Sequence, residues 1–308
     1  MKSPRSLLPA AAVAAPAAAL LIVLASFSAC SSLGSVDTMS LINIAAKSGE
    51  AVAKSFEDIT PEQEYYVGRA VGANILHQYP PFDAAPANSY LNLLGQSLAL
   101  VSDRPETFGG YHFLVLDSAE INAFAAPGGL IFVSRGLLRC ADGEDGVAAI
   151  LAHEIAHVVK QHGLKAIKTA RFKDAGLAIG MAAVEEYGSA DLAKVTAAFS
   201  GTIDDITSTL VNSGYSRSAE KEADLAAVDI LKRAGYDPTA LVRMLAVMAS
   251  RLPPGGPGFA RTHPDPRDRI ASLQGALGSA GAPATAPQER AVAPPARKSR
   301  YQAALGKI

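Results

Sequence analysis

The 308-residue chain contains no Trp, only two Cys and no surplus of either charge. With 28 Lys and Arg against 29 Asp and Glu, it lacks the basic excess that holds nucleic-acid phosphates, so we expect no nucleic-acid partner. Two cysteines are too few for a disulfide scaffold. Because 49% of the residues are hydrophobic, the composition is not that of a disordered protein, and the chain is long enough for a sizeable core.

The first thirty residues have the pattern of an export signal. Lys2 and Arg5 precede an uncharged, increasingly apolar stretch over residues 7–30, which ends in small residues before Cys30. This ending resembles the lipobox of bacterial lipoproteins, in which the signal is removed before a cysteine that is then acylated. We therefore expect a signal peptide over 1–29, lipidation at Cys30 and a folded part that is lipid-anchored to a membrane in the bacterial periplasm.

Two alternatives remain open for this leader. It can be an uncleaved anchor, since about 20 apolar residues span a bilayer, or a secretion signal that is cleaved near Ala29. If the cysteine is acylated, Ser31 favours the outer membrane, because an Asp there would resemble an inner-membrane retention signal.

The rest of the sequence divides by composition into three parts. Residues 30–57 are expected to be a lipid tether and a lead-in helix, and residues 58–278 one mostly helical α+β domain. Residues 279–308 contain nine Ala, four Pro, five basic residues and one acid, a composition that predicts a disordered basic tail.

Capping residues and hydrophobic periodicity place the elements of the domain. Thr60 as N-cap, Pro61 at the first helical position and Gln63 in a capping box predict a helix that ends near Gln78. Further elements are a helix over 88–101, strands over 111–116 and 130–133, helices almost throughout from 143, and a closing helix over 265–277.

The pentapeptide His153-Glu154-Ile155-Ala156-His157 lies on an apolar helical pattern. Four residues rotate an α-helix by about 400°, so His153 and His157 share one face and both imidazoles can reach one Zn²⁺. Glu154, rotated by about 100°, can instead take a proton from the attacking water. The pattern also arises by chance, but two His and a Glu are costly to bury without a metal. We therefore predict a zinc site.

The third ligand separates the classes of zinc peptidase. Lys160 and Gly163 stand where a metzincin has Gly and His, which excludes that class. His162 falls on the opposite face of a straight helix from His153 and is a poor ligand. It is expected to be a His at the helix C-terminus.

A second helix supplies the remaining ligand that is common in zinc peptidases. Glu220 can bind the zinc, and Asp224, four residues on, can accept a hydrogen bond from a ligand imidazole. Glu222 lies about 200° from Glu220 and is expected to face water. The alternative is that all three acids form a solvated helix face.

Several segments together resemble the HtpX-like and CAAX-prenyl-protease-like zinc metallopeptidases, above all their periplasmic lipoprotein branch. The resemblance implies a zincin-like domain with a small β-sheet beside the zinc helix, and one Zn²⁺ held by His153, His157 and Glu220. It also implies unfolded or misassembled envelope proteins as substrates. The similar segments run in order through residues 58–275: Thr60–Arg69, Asn122–Val133, His153–His157, Glu220–Asp224 and Thr262–Pro264.

The resemblance also implies a substrate strand. The glycine pair before residues 130–133 suits a turn into an exposed edge strand, to which a peptide can add through main-chain hydrogen bonds. The residues expected there are Asn122, Gly129, Leu130, Ile131 and Phe132. The alternatives are an ordinary edge strand, and for Asn122 a cap on the preceding turn.

In some relatives a histidine in the segment similar to Thr262–Pro264 closes the zinc site. His263 is therefore expected to be a zinc latch, that is, a side chain that occupies the open zinc position until substrate arrives. The alternative is a surface or helix-capping histidine.

The sequence thus predicts a zinc metalloendopeptidase of periplasmic quality control, with Glu154 as the catalytic base. The alternative is a periplasmic holdase or assembly factor with a structural zinc, for which His263 would be the fourth ligand. Prenyl-protein cleavage is disfavoured because the sequence shows no set of membrane helices.

Overall fold

The computed structural model of the protein describes residues 60–165, 207–252, 263–278 and 294–308. The expected signal peptide, Cys30, the lead-in segment and the first half of the tail lie outside the described residues. Within the described ranges, no helix combines the length and the apolar character that crossing a membrane requires.

The described residues form a mostly helical α+β fold with a three-stranded sheet. The helices are α1 (Pro61–Gln78), α2 (Ala85–Ala99), α3 (Arg135–Leu138), α4 (Glu144–Val159), α5 (Arg217–Arg233), α6 (Ala240–Arg251), α7 (Pro266–Leu277) and α8 (Pro295–Leu305). The strands are β1 (His112–Leu116), β2 (Ala123–Ala126) and β3 (Leu130–Ser134).

Helix α1 begins as its capping residues predict. The Gln63 backbone N–H donates to Thr60 Oγ1 over 3.2 Å, and the Thr60 N–H donates to Gln63 Oε1 over 3.0 Å. These two bonds satisfy donors that a helix start leaves without partners. The helix ends at Gln78, before Pro80, as predicted.

The strand over Leu130–Ser134 is not an edge strand, and that prediction is wrong. The sheet order is β1-β3-β2, with β3 parallel to β1 and antiparallel to β2. Leu130, Ile131 and Phe132 therefore lie in the central strand, with neighbours on both sides. The sequence pattern did not predict the β2–β3 hairpin because residues 122–133 were interpreted as one segment. In the structure, Gly128 and Gly129 reverse the chain within that segment.

Side chains of α2 cover the outer edge of β1. The amide of Asn92 bonds both the N–H and the C=O of Phe113, and Asn88 Oδ1 accepts from the N–H of Val115 over 2.9 Å. These bonds replace a further strand, which leaves β2 as the remaining edge of the described sheet.

The turn between β2 and β3 requires its two glycines. Gly128 and Gly129 have φ values of 78° and 94°, a region that residues with a Cβ rarely adopt. The N–H of Gly128 donates over 3.0 Å to Oε1 of Glu64, a buried residue of α1. Gly68 lets α1 approach closely, since a Cβ there would lie 1.8 Å from the carbonyl oxygen of Pro127. Helix α1 thus fixes the hairpin.

Helix α4 runs through the middle of the apolar core. Every residue from Gly146 to Val158 is buried, and the helix packs against α5, α2, α6 and β2. A helix that is surrounded on all sides carries an apolar sequence except where a polar residue has a partner. The polar exceptions here are the two histidines and the glutamate of the pentapeptide.

The prediction of a disordered tail is wrong for its final part. Pro295–Leu305 forms helix α8, which packs against α2 and α4. Arg300 Nε donates over 3.1 Å to Glu144, which is buried at the start of α4, and Leu305 is 6% exposed. The Ala- and Pro-rich composition concealed this helix because its few contacts are all with residues far away in sequence.

Removing the buried side chain of Leu305 tests whether helix α8 packs against the domain. Leu305→Ala should lower the free energy of unfolding by about 2 kcal/mol or more, because it leaves a cavity against the core. Chemical denaturation measures the change, and Gln302→Ala on the exposed face of α8 is the matched control. Equal stability of the two variants and the unsubstituted protein would show that the tail trails free of the domain.

Candidate metal centre

Four buried side chains from three parts of the chain meet at one point. His153 and His157 come from α4, Glu220 from the first turn of α5, and His263 from the segment before α7. One nitrogen or oxygen atom from each lies within 4.8 Å of all the others. The two Nε2 atoms of the α4 histidines are 3.1 Å apart.

Helix periodicity and one cap explain how this arrangement forms. The four-residue spacing places His153 and His157 on one face of α4. Ser216 caps α5 by accepting from the N–H of Ala219 over 3.2 Å, which fixes where the helix begins. Glu220, four residues later, then faces α4 with both oxygens, at 3.5 Å from His153 Nε2 and 3.4 Å from His157 Nε2.

The donor set fits a zinc ion. Zinc is commonly held by imidazole nitrogens together with carboxylate oxygen. Among the described residues, the buried Oε1 of Glu220 has no hydrogen-bond partner although it faces His157. A buried carboxylate oxygen without a hydrogen bond is costly, and a metal ion at the cluster would satisfy it.

A buried ion pair between Asp224 and Arg269 orients the ring of His153. Nδ1 of His153 lies 3.0 Å from Oδ1 of Asp224, on the side away from Glu220. Asp224 in turn accepts from Arg269 Nη2 over 2.6 Å and from its Nε over 3.0 Å. The carboxylate fixes which nitrogen of His153 faces the cluster, as such partners do in metal sites. Asp224 therefore lies where the sequence placed it.

The charges in the cluster suit a cation. Burial alone would raise the pKa of Glu220, but His263 and His157 hold it well below the usual value. Burial holds the pKa of His157 well below its usual value. Burial and Arg269 oppose protonation of His153, yet hydrogen bonds to Asp224 and Glu220 raise its pKa to about 9. A metal that binds here therefore displaces a proton.

Glu154 is not one of the four clustered residues, as its place in the helix predicts, and it is 2% exposed. Burial raises the pKa of its carboxyl group, while the charges of His153 and His263 act in the opposite direction. A carboxylate with a raised pKa beside a metal cluster has the properties of a general base.

His162 and Glu222 lie closer to the site than the sequence indicated. His162 is outside the four-residue cluster, but its Nδ1 is 2.9 Å from Nδ1 of His157. Its Nε2 is 3.2 Å from Oε2 of Glu222, whose side chain is 44% exposed. The expectation that Glu222 only faces water is therefore incomplete. Helix α4 ends at Val159, so straight-helix geometry misplaced His162.

Arg269 and Tyr215 are the site residues that sequence reasoning missed. The ring of Tyr215 stacks on that of His157 at a centroid distance of 4.6 Å. Arg269 carried a usable signal, since it lies three residues after Pro266 and four before Leu273, both buried. A charged residue on the apolar stripe of a helix indicates a buried partner.

The predicted substrate residues fall in different parts of the hairpin. Asn122 precedes β2, and its Oδ1 accepts from the N–H of Ala123, the first residue of that strand, over 3.0 Å. Gly129 ends the turn, and Leu130, Ile131 and Phe132 belong to the central strand. Strand β2, at one edge of the sheet, is the strand that packs against α4.

Comparison with known proteins decides the family. A sequence profile of Peptidase family M48 matches residues 86–277, well over half of the chain. The chain belongs to Peptidase family M48.

Several curated relatives of this M48 chain are proteases. It is 30% identical over 218 residues to the beta-barrel assembly-enhancing protease of Escherichia coli, covering 68% of this chain and 42% of the relative. It is 28% identical over 232 residues to the mitochondrial metalloendopeptidase OMA1 of Schizosaccharomyces pombe, covering 72% and 63%. The metalloprotease YcaL of E. coli is 27% identical over 168 residues, covering 52% and 63%. The chain thus spans less than half the length of the first of these.

The ion pair between Asp224 and Arg269 can be tested in the metal-free protein. In protein stripped of metal, Arg269→Met should lower the free energy of unfolding by about 3–5 kcal/mol, because it leaves the carboxylate of Asp224 buried without its cation. The double variant Arg269→Met/Asp224→Asn should lose less stability than the sum of the losses of the two single variants, since the two residues share one interaction. Denaturant titration measures both.

The matched control for this cycle is Arg267→Met, on the same helix, where the arginine is largely exposed. Its effect should be small. Strictly additive losses for Asp224 and Arg269 would contradict the assigned pair.

Proposed function

We propose that the chain is a zinc-dependent metalloendopeptidase that cleaves peptide bonds of envelope proteins in periplasmic quality control. The observation that carries the proposal is the convergence of His153, His157 and Glu220, with Glu154 one residue from the first ligand. Membership of Peptidase family M48 and the protease names of its relatives support it.

Zinc would be held by His153, His157 and Glu220. When bound, it polarises the scissile carbonyl and makes the attacking water more acidic. The chain itself supplies rigid ligands, because each is buried and oriented by a neighbour.

Glu154 is the residue that moves the proton. Its carboxylate takes a proton from the attacking water while the water oxygen forms a bond to the scissile carbonyl carbon. It then delivers that proton to the amide nitrogen, so that the carbon–nitrogen bond breaks and the amine leaves. Its burial favours the protonated form midway through this sequence, since burial raises the pKa of the carboxyl group.

The substrate would add to β2 instead of to the central strand. An extended peptide needs an unpaired main-chain edge, and β2 has a strand neighbour on one side only among the described residues. Strand β2 also packs on α4, so a peptide along it would pass close to the metal ligands. Main-chain pairing selects for extended chains more than for particular side chains, which suits unfolded proteins as substrates.

His263 acts in this proposal as the zinc latch. Its Nδ1 lies 2.8 Å from Oε2 of Glu220, and it is one of the four clustered residues. The four residues of β2 are also buried. A histidine at the metal and a covered substrate strand together describe a closed resting state, which must open before cleavage.

The leader sequence supports an envelope location for this activity. An export signal followed by an acylated Cys30 would anchor the domain to a membrane, with the outer membrane favoured. The name of the E. coli relative, which refers to beta-barrel assembly, agrees with an envelope location and with misassembled proteins as substrates.

A second candidate function rests on His263. Four protein ligands form a closed site of the structural kind, in which no position remains for substrate. The chain would then be a holdase or assembly factor that binds unfolded proteins without cutting them.

The base assignment predicts a separation of zinc binding from catalysis. Glu154→Gln keeps the size of the side chain but removes the proton acceptor, so proteolysis of casein should fall at least 100-fold. Zinc content, measured by atomic absorption, should stay at one per chain. Glu62→Gln, on the exposed first turn of α1, is the control. Equal proteolysis by both variants would exclude this mechanism.

The latch predicts a gain of activity. His263→Ala should raise basal casein cleavage several-fold while zinc stays bound to the other three ligands. His77→Ala, at an exposed histidine, should change neither quantity. Loss of zinc from the His263 variant without any proteolysis would instead favour the structural site of the second candidate.

A further inference from the structure

His162 is buried against the back of a metal ligand. It is 3% exposed, and its Nδ1 lies 2.9 Å from Nδ1 of His157. Its other ring nitrogen, Nε2, lies 3.2 Å from Oε2 of Glu222 on α5. His157, His162 and Glu222 therefore form a continuous chain of hydrogen bonds from the cluster to the protein surface.

An unusual backbone conformation brings His162 to this place. Helix α4 ends at Val159, and Gln161 has a φ of 55°, the one positive value at a non-glycine among the described residues. A left-handed conformation is unfavourable for a residue with a Cβ. Such strain persists where surrounding contacts hold it, and it is often found at functional sites. Here it turns the chain so that residue 162 reaches back to His157.

The contacts around the two histidines hold their rings. Tyr215 stacks on His157 with an interplanar angle of 20°, and its ring centroid lies 5.5 Å from that of His162. Lys160 and Lys165 lie 3.9 Å and 3.6 Å from the carboxylate of Glu222. Both ends of the hydrogen-bond chain are thus restrained, one by packing and the other by charge.

The position of each proton follows from the side of His157 that faces the cluster. Its Nε2 lies near His153 and Glu220, so a neutral ring that offers Nε2 to a metal carries its proton on Nδ1. That N–H can donate only if His162 Nδ1 is the acceptor. The proton of His162 then resides on Nε2 and is donated to Glu222.

We propose that His162 and Glu222 are positioning residues that fix the tautomer and ring orientation of His157 for metal binding. This inference rests on the proposed zinc site. In this arrangement the anionic partner of His157 is Glu222, which His157 reaches through the imidazole of His162. His153, in contrast, contacts the carboxylate of Asp224 directly. Partners of this kind typically change metal affinity by about 10–100-fold when they are removed.

Zinc affinity of the full chain, measured by competition with a chromophoric chelator, tests the proposal. His162→Phe keeps the size of the ring but has no acceptor, so zinc should bind about 10–100-fold more weakly. His162→Asn keeps an acceptor near the Nδ1 position and should recover part of this loss. Glu222→Gln should weaken binding less than His162→Phe does. The visible spectrum of the Co²⁺-substituted protein should change in the same order.

Two controls separate positioning from general effects. His77→Asn and Asp229→Asn alter exposed residues, the second on the same helix as Glu222, and should leave affinity unchanged. Should His162→Phe fail to fold, the Asn and Gln variants still decide the matter. Affinities equal to that of the unsubstituted chain would overturn the positioning role alone. Failure of the unsubstituted chain to bind zinc would overturn the proposed function itself.

Discussion

Ionisable side chains inside an apolar core are costly unless each has a partner, and this constraint shapes the centre of the molecule. The four clustered residues are all at most 7% exposed, and they lie where the apolar helix α4 crosses α5. A cation at their meeting point would satisfy them together. Without such an ion, Glu220 keeps a buried oxygen that has no hydrogen bond among the described residues.

The same constraint explains the next layer of residues. His153 has Asp224 and Arg269 behind it, and His157 has His162 and then Glu222. Each chain of contacts passes from an imidazole to a carboxylate, so each of the two α4 histidines is connected to an anionic group. The left-handed Gln161 shows that the backbone accepts strain to complete one of these chains.

Local sequence rules predicted the parts of the site that depend on one helix at a time. The four-residue spacing of His153 and His157 follows from helix periodicity, and the cap at Thr60 follows from residue type. Glu220 could also be predicted, because a zinc peptidase without a third ligand on α4 needs a carboxylate from another helix. These features survive because their geometry is fixed within a few residues.

Features that depend on distant contacts could not be obtained in this way. The strand order depends on a turn at Gly128 that α1 stabilises, and a sequence pattern does not reveal which strand becomes central. Helix α8 exists because Leu305 and Arg300 find partners on α2 and α4, although their local composition is that of a tail.

The account depends most on the claim that these side chains hold one zinc ion. X-ray absorption at the zinc K edge, on the full chain loaded with one equivalent of zinc, tests this most directly. The account predicts a first shell of nitrogen and oxygen only, with the outer-shell scattering of at least two imidazoles. A sulfur ligand, which only cysteine or methionine could supply, or a shell without imidazole scattering would contradict it.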